Sequence, residues 1–148
     1  MHSKFNGVKG ILLKQPYTEI ATRCGMFVSE TNTDYRGELL LCSAAARYNT
    51  VQLKKKAGMY ISDITGSMHV DDMEVGCTYA LCKLVDVLNF THVTRDMINR
   101  MMVKEVSCQD HVFVIEDIRR VVTVPFTGGT KGLWNMPEEV INSTRVIV

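Results

Sequence analysis

The sequence predicts an α+β fold in which strands dominate. The chain has 148 residues, of which 46% are hydrophobic and 22% are charged. That length and composition are typical of a soluble globular protein with one sizeable core. Apolar runs of strand length recur along the chain, and the run 76–88 is apolar or small on both alternating faces. Such a strand is covered on both sides, as in a small closed barrel.

The first third of the chain predicts a strand, a helix and two more strands. The apolar run 8–14 is the first strand, and it ends before Pro16. Proline suits the first turn of a helix, where its missing N–H costs nothing. Apolar residues then recur at helical spacing over 17–24, and Gly25 is expected to end that helix. Two further strands are predicted at 26–31 and 37–44.

The remainder predicts a long connection, a strand, a helix and a final strand. Residues 45–75 form a partly helical excursion that contains the run Lys54-Lys55-Lys56, which we interpret as a solvated face. After the strand 76–88, Thr94 is expected to cap a helix whose methionines at 97–102 form one stripe. A strand at 111–124, a helical turn from Pro137 and an edge strand at 145–148 complete the prediction.

Neither the net charge nor the cysteines indicate a particular class of binding partner. The formal net charge is +1, so a nucleic-acid binder of this composition would have to concentrate its basic groups on one face. The five cysteines form no C-x-x-C pair. We see no signal-like apolar stretch and no run near the roughly 18 apolar residues of a membrane span. We therefore expect a cytoplasmic protein without membrane contact, whose cysteines are small core residues.

The glycine-rich stretch VPFTGGTKGLWNMP, residues 124–137, raises the question of a phosphate loop. A P-loop needs G-x-x-x-x-G-K-[ST] followed by a long helix. Here Gly132 follows Lys131, and Pro137 comes too soon for such a helix. We predict instead a turn between two strands, with Trp134 anchored in the core. The four histidines are scattered, so we expect neither a metal nor a cofactor.

Three stretches together resemble the ASCH domain, the activating-signal-cointegrator homology domain of the PUA-like superfamily. They are LLKQPYTEIATRCGMFVSETNTDYRGELLLCSAA (12–45), GCTYALCKLVDVL (76–88) and HVFVIEDIRRVVTVPFTGGTKGLWNMP (111–137). The first resembles the family's Q-P-W helix, its G-x-K-x-x-E-x-R segment and its R-G strand. The other two resemble its central and closing strands. The blocks occur in family order and cover about half of the chain.

The resemblance implies one ASCH-like domain over residues 1–148, built as a small mixed β-barrel with flanking helices. It also implies a cleft beside the barrel, lined by the G-x-K-x-x-E-x-R segment. That cleft is associated in the family with RNA or DNA binding, and in one branch with hydrolysis of acetylated cytidine nucleosides. Three basic positions of the family are uncharged in this sequence: Phe27, Asn32 and Thr127. The changes at Phe27 and Asn32 argue against the amidohydrolase mechanism of that branch.

The leading hypothesis is a module that binds single-stranded RNA or a nucleotide-like ligand. Its candidate ligand-binding residues are Lys14, Gln15, Tyr17, Arg23, Phe27, Glu30, Arg36, Ser43 and Lys131. The cations would meet phosphate, and an aromatic face at Tyr17 or Phe27 would stack on a base. Glu30 would accept from a base edge or orient Arg36. Two alternatives for these last residues are that Phe27 packs inward and that Glu30 forms a salt bridge with Arg36.

Two other functions remain open from the sequence. In a hydrolase acting on a modified nucleoside, Glu30 would be the acid or base, with Thr31 or Ser43 nearby. In a protein-interaction domain, the methionine stripe at 97–102 would be the partner surface.

Overall fold

The computed structural model describes residues 7–57, 70–126, 128–129 and 131–147. These ranges contain six strands and four α-helices. The strands are β1 (Lys9–Leu13), β2 (Met26–Ser29), β3 (Gly37–Ser43), β4 (Cys77–Asn89), β5 (His111–Arg120) and β6 (Trp134–Asn135). The helices are α1 (Tyr17–Cys24), α2 (Thr50–Ala57), α3 (Arg95–Met101) and α4 (Glu138–Ser143). Two single 3₁₀ turns lie at Val70–Asp72 and Phe90–His92.

The six strands form one mixed sheet in the order β2-β5-β4-β3-β1-β6, which curls into a half-barrel. Only β1 and β3 pair in parallel, and every other neighbouring pair is antiparallel. The α+β class and a barrel-like sheet are therefore confirmed. Closure is not found, since no pairing joins β2 to β1 or β6 in the described part of the chain. The two-residue β6 covers only Lys9 and Gly10 of β1.

Local signals place the end of α1 and the start of α3 as the sequence predicts. Gly25 follows α1 with φ 76°, and its N–H donates to the carbonyl of Ala21 at 2.9 Å. This left-handed conformation is one that glycine adopts without steric cost. Thr94 caps α3, because its hydroxyl accepts from the N–H of Met97 at 3.2 Å. Both helices therefore begin or end at a residue that satisfies a free backbone group.

The core occupies the inner face of the half-barrel and is built from β3, β4 and β5. Leu39, Leu41 and Phe113 are fully buried there. The first four residues of β4 are buried, whereas Lys83, Val85 and Asp86 are exposed, so only half of the predicted two-sided strand is covered. All five cysteines are free thiols, and burial raises the pKa of Cys42 and of Cys82 to about 12.

The methionine stripe of α3 serves mainly as core packing. Met101 is buried, and Met97 and Ile98 pack against the same cluster as Met26 and Val112. The strand predicted at 111–124 ends at Arg120, and the predicted edge strand at 145–148 is reduced to one bridge between Val121 and Val146. β5 ends at Arg120 because its pairing with β4 ends there, where Arg120 lies opposite Ala80. Residue 148 lies outside the described ranges.

The described residues of the glycine-rich stretch form no helix, as predicted, and a bend at residues 131–132 leads into β6. Gly129 and Gly132 have φ angles of 97° and 84°. A Cβ on Gly129 would lie 2.6 Å from the ring of Trp134, so a side chain does not fit there. Trp134 stacks on Phe126 at 6.1 Å between ring centroids and packs against the second core cluster. Thr127, the position of a family lysine, lies outside the described residues.

None of the helices within the described ranges has the length and apolar character needed to cross a membrane.

Candidate ligand-binding cleft

A cleft of about 560 Å³ lies at the seam where the half-barrel fails to close. Its walls come from the end of β1, from α1 and β2, from the end of α2 and from the loop after α3. The lining residues include Leu12, Lys14, Tyr17, Val28, Glu30, Tyr48, Lys55, Lys56, Lys104, Glu105, Ser107 and Asp110. The cleft therefore combines apolar strand residues with charged residues from the surrounding loops.

The edges of two strands face this seam. The carbonyl of Gly25 accepts from the N–H of Ile115 at 2.9 Å, so alternate residues of β2 direct their backbone groups toward β5. Since backbone direction alternates along a strand, Val28 directs its N–H and C=O away from β5. The carbonyl of Leu13 accepts from the N–H of Ala44 in the same way, which turns the backbone groups of Leu12 away from β3. Backbone donors and acceptors thus face the cleft from both strands.

Four lysines, Lys14, Lys55, Lys56 and Lys104, line one end of the cleft; we call them the lysine cluster. The ammonium of Lys14 lies 4.4 Å from the ring centroid of Tyr48. That of Lys56 lies 5.5 Å from the same ring and 5.6 Å from that of Tyr17. Such cation–π contacts orient a lysine and contribute about 0.5–1 kcal/mol at exposed sites. The backbone N–H of Lys104 donates to the carbonyl of Lys56 at 2.9 Å, which joins the two segments.

The two tyrosines are themselves fixed by neighbouring groups. Their rings meet edge to face, 5.7 Å apart and at 88°. The hydroxyl of Tyr17 donates to the carbonyl of Met102 at 3.0 Å, and the N–H of Tyr48 donates to the carbonyl of Gln15 at 3.0 Å. Burial, and then the nearby Tyr48, raise the pKa of Tyr17 well above its ordinary value. Tyr17 is therefore a neutral, positioned ring against which Lys56 rests.

Across residues 7–57, 70–126, 128–129 and 131–147, no carboxylate forms an ion pair with any member of the lysine cluster. The positive charge at this end of the cleft is therefore not compensated by those parts of the protein. Like charges held close together raise the local potential and attract anions.

The far end of the cleft is acidic, since Glu30 and Asp110 both line it and lie next to Ser29 and His111, which pair in register. Asp110 accepts from the N–H and the hydroxyl of Ser107 at 3.1 and 3.0 Å. Glu30 forms an exposed ion pair with Lys131 at 3.1 Å. The charge of the cleft therefore changes sign along its length.

The structure brings some of the predicted site residues together and separates others. Lys14, Tyr17, Phe27 and Glu30 line the cleft. Phe27, however, is only 3% exposed and packs 5.1 Å from the ring of Phe113, so the inward alternative describes it. Arg36 pairs with Asp86 at 3.8 Å, and Glu30 pairs with Lys131 instead of Arg36.

Three other predicted residues lie away from the cleft lining. Gln15 is fully buried, where its amide nitrogen donates to the carbonyl of Glu74 and its amide oxygen accepts from the N–H of Glu19. Ser43 is also fully buried and donates to the same carbonyl of Glu74 at 2.8 Å. Arg23 pairs with Glu19 on α1. Asn32 is exposed beside Lys131, outside the main cleft.

Sequence reasoning missed Tyr48, Lys55, Lys56 and Lys104. The run 54–56 is the one signal in the sequence: its lysines are exposed, as a solvated face predicts, and two of them also line the cleft. Its position beside the cleft depends on the packing of α2, where Leu53 is fully buried. Tyr48 lies in a connection with no periodic pattern, so nothing in the sequence singled it out.

A second charged group, which we call the Glu19 cluster, was also missed. The carboxylate of Glu19 is 5% exposed and contacts Arg23 at 2.7 Å and Arg120 at 3.0 Å. It also accepts a hydrogen bond from the hydroxyl of Tyr79, whose ring lies 4.2 Å from the guanidinium of Arg120. None of these four residues is part of the lining of the cleft.

The described ranges contain no group of three or more His, Cys, Asp or Glu side chains placed to hold a metal ion. In comparisons with known proteins, no family model matches the chain. No curated protein matches it either.

Proposed function

We propose that this chain is an ASCH-type module of the PUA-like kind that binds single-stranded RNA or a nucleotide ligand in the cleft. The observation that carries the proposal is the lysine cluster at one end of a 560 Å³ cleft, where Lys14 and Lys56 rest on tyrosine rings. The sequence resemblance supports it, because that resemblance implies a cleft lined by residues 25–32, and residues 26–30 line this one.

Electrostatics favour a phosphate-bearing ligand. A protein cation that neutralises a phosphate releases a counterion, and binding then weakens as salt is added. The lysine cluster offers four cations that no described carboxylate already neutralises. This arrangement gives a nearly neutral chain the local concentration of charge that nucleic-acid binding requires.

The geometry supports the two alternative functions less well. For the hydrolase, Glu30 is exposed and paired with Lys131, while the Ser43 hydroxyl is buried and already donates to a backbone carbonyl. A nucleophile so placed does not meet a substrate in the cleft. For the interaction domain, the methionine stripe is largely used in packing, with Met101 only 1% exposed.

Lys56→Ala provides the direct test of the proposal. We would measure the affinity of a fluorescently labelled, mixed-sequence RNA by polarisation at several salt concentrations. Removing one phosphate contact is expected to weaken binding at low salt and to reduce the slope of log affinity against log salt by about 0.7. Lys14→Ala should act in the same way.

Lys83→Ala is the matched control, since Lys83 is an exposed lysine of β4 outside the cleft. Its affinity and salt slope should equal those of the wild type. Equal binding by all three variants, or no RNA binding at all, would contradict the proposal.

A further inference from the structure

We propose that the cleft holds a single nucleotide, either free or at the end of a strand. Its phosphate would lie at the lysine cluster and its base in the seam, and the acidic end would exclude a second phosphate. This inference rests on the proposed function, and it adds the size and orientation of the ligand.

The size of the cleft favours one nucleotide over a continuous strand. Its volume of about 560 Å³ lies within the range of roughly 300–1,000 Å³ that small-molecule sites occupy. A strand that passes through the cleft would carry a phosphate on each side of the bound nucleotide. The charge at the two ends therefore decides whether such a strand is accepted.

The chain topology fixes the two ends. Lys104, at the start of the wall 103–110, is bonded to the carbonyl of Lys56 in the lysine cluster. Asp110, at its other end, directly precedes His111, which pairs in register with Ser29 of β2. The wall therefore runs from the lysines to the residues beside Glu30. A phosphate is attracted by the lysines at the first end and repelled by the carboxylates at the second.

Backbone groups between the two ends suit a base. Val28 and Leu12 direct an N–H and a C=O into the seam from opposite strands, as their neighbours' hydrogen bonds require. The edge of a nucleobase presents adjacent donors and acceptors that can pair with such groups. Apolar side chains of β1 and β2 flank these backbone groups in the lining of the cleft.

The test compares small ligands in competition with labelled RNA. The competitors are a nucleoside, its 5′- and 3′-monophosphates, and its 3′,5′-bisphosphate. We expect one monophosphate to compete about tenfold better than the nucleoside, because it alone meets the lysine cluster. The bisphosphate should compete no better than that monophosphate.

Neutralising the acidic end should remove this discrimination. In a Glu30→Gln/Asp110→Asn variant, the bisphosphate is expected to bind about tenfold more tightly than to the wild type, while the monophosphate changes less. Glu116→Gln is the control, because Glu116 is an exposed acid of β5 outside the cleft. A bisphosphate that already binds the wild type more tightly than either monophosphate would overturn the orientation.

RNA topology separates this inference from the proposed function. Linear RNA should compete, and a circular RNA of the same sequence should not, because every nucleotide of a circle carries two flanking phosphates. If RNA binds but the monophosphates do not compete, or if the circle competes equally, the inference fails and the proposed function stands. If neither RNA nor any nucleotide binds, both fail.

Discussion

The Glu19 cluster and the lysine cluster differ in whether their cations are paired with a carboxylate of the protein. In the Glu19 cluster, one buried carboxylate contacts two arginines that remain 41–46% exposed, and it also accepts from Tyr79. In the lysine cluster, the ammonium groups of Lys14 and Lys56 rest on tyrosine rings, and no described carboxylate pairs with any of the four lysines. Both clusters combine cations with an aromatic ring, but only the first contains its own anion.

This difference predicts a structural role for the Glu19 cluster and, under the proposed function, a binding role for the lysine cluster. A buried carboxylate was desolvated during folding, so its arginine partners are needed to keep the fold stable. The charge of exposed lysines remains available to an anion from solution. We therefore expect changes in the first cluster to alter stability and changes in the second to alter binding.

The largest expected effect is on stability, at Glu19. Glu19→Gln keeps the shape of the side chain but removes the charge that faces Arg23 and Arg120. Breaking a buried ion pair costs about 3 kcal/mol, and the partial exposure of both arginines keeps the loss at the lower end of the usual range. The free energy of unfolding, measured with urea, should fall by about that amount.

Glu38→Gln is the control for this change. Glu38 pairs with Arg119 at 3.3 Å, but both side chains are about one-third exposed. Its loss should cost less than about 1 kcal/mol. If the two variants lose equal stability, burial does not distinguish the two ion pairs. RNA affinity should remain unchanged in Glu19→Gln at temperatures where the variant is folded.

Alkaline pH provides a second test, because the pKa is raised for Tyr79 in the Glu19 cluster and for Tyr17, whose ring contacts Lys56 of the lysine cluster. Burial is the main cause for both Tyr17 and Tyr79, and the hydrogen bond to Glu19 adds to it for Tyr79. The unfolded chain releases these protons first, above about pH 10. Stability is therefore fully present below pH 10 and falls as pH rises, by about 1.4 kcal/mol per pH unit for each tyrosine.

The double variant Tyr17→Phe/Tyr79→Phe isolates this contribution. Urea unfolding between pH 9 and 11 should show a shallower loss of stability than in the wild type, whatever the starting stability. The buried thiols of Cys42 and Cys82 stay in both proteins and contribute equally. An unchanged slope would mean that neither tyrosine resists ionisation in the fold.

The sequence predicted the elements whose boundaries depend on local groups. Gly25 ends α1 and Thr94 caps α3 through hydrogen bonds to residues only three or four positions away. Alternating or continuous apolar runs identified β3 and β4 for the same reason, since side-chain direction follows from strand periodicity. Spacing alone also predicts that no helix follows the glycine-rich stretch, and β6 is the next element in the described residues.

The contacts that build the two clusters join distant residues. Tyr79 and Arg120 reach Glu19 from 60 and 101 positions away. The lysines of the cleft come from three separate segments, and their approach depends on how α2 and the loop after α3 pack on α1. Local patterns carry no information about such approaches, so the sequence indicated the N-terminal side of the cleft and not its opposite wall.

Inorganic phosphate should distinguish the clusters with a smaller effect. At a phosphate concentration several times its dissociation constant, the free energy of unfolding of the wild type should rise by about 1 kcal/mol relative to chloride at equal ionic strength. Its Tm should rise by about 3 °C. The Lys14→Ala/Lys56→Ala variant should lose most of this gain, whereas Glu19→Gln should retain it. Any stabilisation that remains in the lysine variant measures the general effect of phosphate, which stabilises folded proteins because it is excluded from their surface.

The smallest effect is expected at Lys131, which is exposed like most members of the lysine cluster but paired with a carboxylate like the arginines of the Glu19 cluster. Lys131 is 84% exposed, as an uncompensated cation would be, yet it pairs with Glu30, which is 61% exposed. An exposed pair of this kind contributes less than about 1 kcal/mol, so Lys131→Ala should leave the stability nearly unchanged. Its RNA affinity should fall less than that of Lys56→Ala, because Glu30 already compensates the charge of Lys131.

Glu30→Gln tests this cause directly: freeing Lys131 should strengthen RNA binding, and the gain should disappear in the Glu30→Gln/Lys131→Ala double variant. If Lys131→Ala weakens binding more than Lys56→Ala does, compensation by a neighbouring carboxylate does not determine which cations of this protein are available to a ligand.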